Sequence, residues 1–102
     1  MKIDHKLIKN DIKHLKHIFL MFKTVTKDKT LKKVYKVCYM ILKNDLRLLN
    51  KNLIDLNNVK YDLKDIKAYL MDYNINNPLI NCFLSEINNY IVLYYKQFDN
   101  ML

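Results

Sequence analysis

No glycine occurs anywhere in these 102 residues, and proline occurs once, at Pro78. Tight hairpins draw on glycine for positive φ, and phosphate-cradling loops need it for close backbone approach. Its absence argues against an all-β or α/β fold and against a nucleotide-binding loop. Helical hairpins can turn on asparagine instead. Tryptophan is missing, and Arg47 is the only arginine among 18 basic residues. Base-edge reading leans on arginine, asparagine and glutamine, so sequence-specific DNA readout is not expected. The two cysteines, Cys38 and Cys82, match no ligand spacing and read as free thiols of a reducing, intracellular setting. The longest apolar runs, 18–22 and 90–95, are too short to span a bilayer. The opening residues show no apolar core or cleavage site of a secretory signal. A soluble, cytoplasmic protein is the expectation.

What the chain does have is charge, unevenly spread. Residues 1–51 carry fourteen basic and four acidic side chains, and residues 52–102 carry four and six, so +10 stands against −2 within a formal net charge of +8. Such asymmetry suits a polyanion partner. Lysine, asparagine, isoleucine and tyrosine are abundant together, however, and AT-rich coding raises lysine content without any such partner.

Apolar spacing predicts an all-α fold, a single domain over 1–102 formed as an antiparallel four-helix bundle. The helices are expected at about 4–25, 30–57, 62–73 and 78–100, with the second or the fourth central. Ile8, Ile12, Leu15, Phe19 and Phe22 form the first seam, flanked by Leu7 and Ile18, with Asp4 as its N-cap. Leu31, Tyr35, Cys38, Leu42, Leu49, Leu53 and Leu56 keep one phase, so the second helix reads as continuous or merely kinked. It would be about 40 Å long at 1.5 Å per residue. A break near Asn50–Asn52 is the alternative, because asparagine competes for helical hydrogen bonds. Asp62 is expected to cap the third helix, whose seam is Leu63, Ile66, Leu70 and Tyr73. Asn77 and Pro78 fit the N-cap and first position of the fourth. There Ile80, Leu84, Ile87, Ile91, Tyr94, Phe98 and Met101 form an unbroken seam.

No residue pattern carries catalysis, and no catalytic residue, metal site or cofactor is expected. His14 and His17 lack further ligands for zinc, and His14 is better read as an i,i+3 partner of Asp11. The first expectation is a non-enzymatic protein acting by protein–protein interaction, as an accessory or regulatory subunit or a homodimer. Val92 and Leu93, outward on the fourth helix beside Tyr95, would form that interface. The alternative is a nucleic-acid-associated protein gripping phosphates with Lys6, Lys9, Lys13, Lys16, Lys33, Lys36, Lys43 and Arg47. These helices are too long for a helix-turn-helix, and an anionic membrane surface ranks third for the same lysines. Asp45 and Asn52 interrupt the apolar face of the second helix and are expected to be buried polar groups. Asp45 would then need a tyrosine hydroxyl, His14 or a water as partner.

Overall fold

The computed structural model describes residues 5–101, with side chains described through Gln97. It is an all-α bundle of four helices, α1 (His5–Val25), α2 (Lys29–Asn50), α3 (Leu56–Asp72) and α4 (Pro78–Met101). Asp4 lies outside the described residues, as do the side chains of Phe98 and Met101.

Capping explains both ends of α2 and α3 and the start of α4. α1 ends at Val25, and three residues later the Asp28 carboxylate accepts from the backbone N–H groups of Thr30 (2.8 Å) and Leu31 (3.0 Å). α2 stops at Asn50, where Asn52 takes a left-handed φ of 56°. Leu53 N–H then donates to the Leu48 carbonyl (2.9 Å) and Asn52 N–H to that of Leu49 (3.1 Å). This pair of bonds is a Schellman motif, with asparagine in the place usually held by glycine. α3 ends the same way, with Asn74 at φ 55° and Ile75 N–H donating to the Leu70 carbonyl (2.9 Å). The chain thus makes its left-handed stops without glycine. Asn77 caps α4 by accepting from Leu79 N–H (2.9 Å) and Ile80 N–H (3.2 Å), with Pro78 in the first turn as its sequence implies.

The second helix therefore stops at Asn50 instead of running on to 57. The break falls at Lys51–Asp55, the alternative named by Asn50–Asn52, and α3 starts six residues before the expected 62. Asn58, which reads as a terminator, is instead the third residue of a capping box. Its side chain accepts from Asp55 N–H (3.1 Å) while the Asp55 carboxylate accepts from Asn57 and Asn58 N–H (2.9 and 3.1 Å). The apolar phase that continued through Leu56 belongs to a new seam of Leu56, Val59, Leu63, Ile66 and Leu70. Asp62 lies inside α3 and caps nothing, and Tyr73 sits exposed beyond its end.

Neighbouring helices run antiparallel. Phe19 and Phe22 meet Tyr35 between α1 and α2, and Asp45 meets Asp62 between α2 and α3. His5 and His14 meet Tyr94 and Phe83 between α1 and α4. The backbones of α1 and α3, and of α2 and α4, do not approach within 8 Å among the described residues. The helices therefore form a ring around a shared core, and neither α2 nor α4 is central. Phe19, Ile8, Ile12, Leu15, Leu42, Leu56, Ile66, Ile80, Ile87 and Ile91 are fully buried there. Leu7 is half-exposed instead of joining the α1 seam. Each buried leucine or isoleucine contributes about 1.5–3 kcal/mol of transfer free energy. No described helix is long and apolar enough to cross a membrane.

Candidate polyanion-binding face

At 100° per residue, the seams of α1 and α2 fix which flank of each helix borders the other. On α1, Lys9, Lys16 and Lys23 fall beside the buried seam on the α2 side, and all three are half-buried. Their methylene stems cover apolar surface while the ammonium groups stay in water. Lys6 and Lys13 lie one step further out. Lys6, Lys9 and Lys13 line one end of an open groove with Leu46 and Asn50 of α2.

The matching flank of α2 is marked by Tyr35, which touches α1, and by Leu46 in that groove. Lys32, Lys36 and Lys43 follow it on the solvent side. The Lys43 ammonium sits 5.8 Å from the centroid of the half-buried Tyr39 ring, a cation–π contact that holds it along the groove. Arg47 rides the crest of α2, where its Nη2 donates to Asn44 Oδ1 (2.9 Å). Lys33 lies over that crest, toward α3. The expected basic residues therefore do not form one flat face. Lys6, Lys9 and Lys13 line the α1–α2 groove, Lys16 and Lys43 lie on the flanks that border it, Lys36 and Arg47 sit on the solvent crest of α2, and Lys33 lies beyond that crest. Lys23 is half-buried on the same flank of α1, and Lys32 lies on the α1-facing flank of α2. Neither is among the expected residues, because a stripe opposite the core does not say which neighbour it leans toward.

The carboxylates of α1 and α2 all point elsewhere. Asp28 is held in the α2 N-cap. Asp11 turns to α4, where burial and the neighbouring Glu86 push its carboxyl up from the ordinary range against the opposing pull of His14. His14 acts on Asp11 only as a nearby charge that Glu86 outweighs, and the His14 ring stacks on Phe83 at 6.1 Å. Glu86 accepts from the Tyr90 hydroxyl at 3.0 Å. Among the described residues, no acidic side chain of α1 or α2 shares the lysine groove.

Asp45 is buried, as its place on the seam implies, at 3% exposure. The side chain that faces it is Asp62 of α3, in place of the expected tyrosine or His14. Burial, then the carboxyl group of Asp62, pushes the Asp45 carboxyl up to about 8. Asp45 Oδ2 has no hydrogen-bond partner among the described residues, so the protonated form, which can donate toward Asp62, is the one the site favours. Asn52 is exposed, because its left-handed backbone carries it out of the helical face. That corrects its expected burial.

Val92 and Leu93 are exposed at 46% and 48%. They point about 100° apart around α4 and so do not form one patch. Tyr95 is half-buried against the core, edge-on to Tyr94 at 5.4 Å. The buried Cys38 thiol is pushed up to about 12 by burial, and Cys82 is exposed. No cluster of three or more His, Cys, Asp or Glu side chains among the described residues could hold a metal. Comparison with known proteins finds no matching family model, no matching curated protein and no matching solved structure.

Proposed function

We propose that this protein is a non-enzymatic binding module that grips the phosphate backbone of nucleic acid in its α1–α2 groove. The observation that carries this reading is charge sorting. Lys6, Lys9 and Lys13 line the groove beside Leu46 and Asn50, Lys32 and Lys43 lie on the flank of α2 that borders it, and every described carboxylate of these two helices is turned away or sealed in a cap. A surface helix placed only for solubility mixes signs, because opposite charges at i,i+4 favour each other. Successive lysines on one flank rise about 4.5–6 Å along the axis, far enough apart for each to reach a separate phosphate. The near absence of guanidinium groups makes the contact one of backbone and not of sequence.

Fluorescence anisotropy with labelled oligonucleotides tests this. Binding at low salt should weaken steeply as salt rises, with a log–log slope of about −3 to −5 for engagement of some four to six phosphates. The quadruple variant Lys9→Glu, Lys13→Glu, Lys36→Glu, Lys43→Glu should abolish it for every sequence alike. Absence of any complex at micromolar protein in low salt rejects the reading.

The exposed apolar residues of α4 favour a second reading, an accessory or regulatory subunit that meets a protein partner or a second copy through α4. Leu93→Asp should then abolish the association seen by sedimentation. A strictly monomeric chain that captures no protein from its source would reject this reading.

A further inference from the structure

On the side of the ring opposite the lysine groove, an open groove of about 690 Å3 runs between α3 and α4. Leu63, Leu70 and Leu84 form its floor, and Ile75 closes one end. Met71 lies over the floor with 66% of its surface exposed. One lip is Lys60, Lys64 and Lys67, spaced i, i+4, i+7 along α3. The other is Asn81, Ser85 and Asn88, spaced the same way along α4, and Val92 continues that row one turn further. Among the described residues, no carboxylate lines the groove. Of the acidic residues of α3, Asp62 faces α2, and Asp65 and Asp72 project to solvent past the crest of the helix from the lysine row. α3 is thus split lengthwise, acid on one side and base on the other.

We propose that this groove docks an acidic amphipathic helix supplied by a partner protein, an inference that rests on the accessory-subunit reading. The occupant follows from three features. An apolar floor calls for an apolar face and disfavours a nucleic-acid backbone, whose phosphates would lose water over leucine. A lysine lip without carboxylates calls for acidic side chains, and it steers them on encounter. Both lips repeat with a helical period, so a helix laid along the groove meets them in register. Carboxylates at i, i+4 and i+7 reach Lys60, Lys64 and Lys67 while its apolar seam lies on Leu63, Leu70 and Leu84. A helix also satisfies its own backbone, which an extended segment lying against two helices cannot do. The amide and hydroxyl lip takes polar side chains of either sense, and the flexible Met71 adapts to the apolar seam.

The test is heteronuclear NMR of the full 15N-labelled chain. The probe is a synthetic helical peptide with leucines at i, i+4, i+7 and i+11 and glutamates along one flank. A control carries lysines in place of the glutamates. The acidic peptide should shift resonances of 60–74 and 81–92, and the basic peptide should shift none. Lys64→Glu with Lys67→Glu should weaken the acidic peptide about tenfold or more, while Lys9→Glu with Lys13→Glu leaves it unchanged. Four results overturn the proposal: no shifts at millimolar peptide, equal shifts by both peptides, shifts confined to α1 and α2, or the same resonances moving when the protein alone is diluted. If the peptide fails but Leu93→Asp, outside this groove, still abolishes association with a native partner, the groove proposal falls and the accessory reading stands.

Discussion

Asp45 of α2 and Asp62 of α3 face each other across the interface of two helices joined by a five-residue link, and one of them is almost wholly buried. Two ionised carboxylates cannot share such a site cheaply, so the pair retains a proton in the folded state. In the unfolded chain that proton leaves at the ordinary aspartate value of 3.8. Between that value and about 8 the folded state binds more protons than the unfolded state, so the contribution of Asp45 to stability falls as pH rises through this window and levels off above it. Asp45→Asn mimics the neutral acid and removes this dependence. It should stabilise the protein at pH 8 by about 1–3 kcal/mol and by less near pH 4. Urea denaturation of both proteins across that range checks the difference. A constant offset at every pH would contradict the assignment.

Asp62→Asn takes away the facing charge but not the burial. The Asp45 carboxyl should then titrate at lower pH than in the native chain, yet remain above 3.8, since burial is the larger cause. A 13C carboxyl titration by NMR reads this directly. An unchanged Asp45 would mean that Asp62 does not act on it.

Asn52 and Asn74 end α2 and α3 at φ 56° and 55°. A Cβ in that region costs about 1–2 kcal/mol unless a short polar side chain relieves it locally. Asn52→Ala and Asn74→Ala should each destabilise by about 1 kcal/mol, and the corresponding glycine substitutions should be near neutral. Thermal unfolding of the four variants separates backbone strain from side-chain contacts, because only strain predicts that glycine rescues where alanine does not.

The two thiols should differ in reactivity. Cys38 is fully buried and its thiol is pushed up to about 12, whereas Cys82 is exposed. A disulfide reagent should modify Cys82 quickly in the native protein and reach Cys38 only on unfolding. Fast modification of both would show that the α1–α2–α3 core opens locally.

The core seams were legible in the sequence because helical periodicity is local. Ile8 to Phe19 and Ile80 to Ile91 repeat without interruption, and asparagine with proline at 77–78 is a start signal that needs no tertiary context. The break after Asn50 was less visible. The apolar phase runs on through Leu53 and Leu56 by coincidence of spacing, so periodicity argued for continuation while capping chemistry decided otherwise. The Asp55–Asn58 box wins because it satisfies backbone groups that an extended α2 would have satisfied along its own axis, and asparagine at 52 tolerates the left-handed turn that reverses the chain.

Periodicity could also say that Asp45 projects into the core and that lysines project out of it, because both follow from one helix wheel. It could not say that Asp62 would be the facing group, since that depends on where α3 begins and which helix it lies against. Nor could it say that Lys6, Lys9 and Lys13 of α1 line a groove with α2 while Lys60, Lys64 and Lys67 of α3 line another. A wheel fixes the angle of a side chain to its own seam. Only the order of helices around the ring turns that angle into a neighbour, sorting one lopsided net charge into two separate lysine-lined grooves.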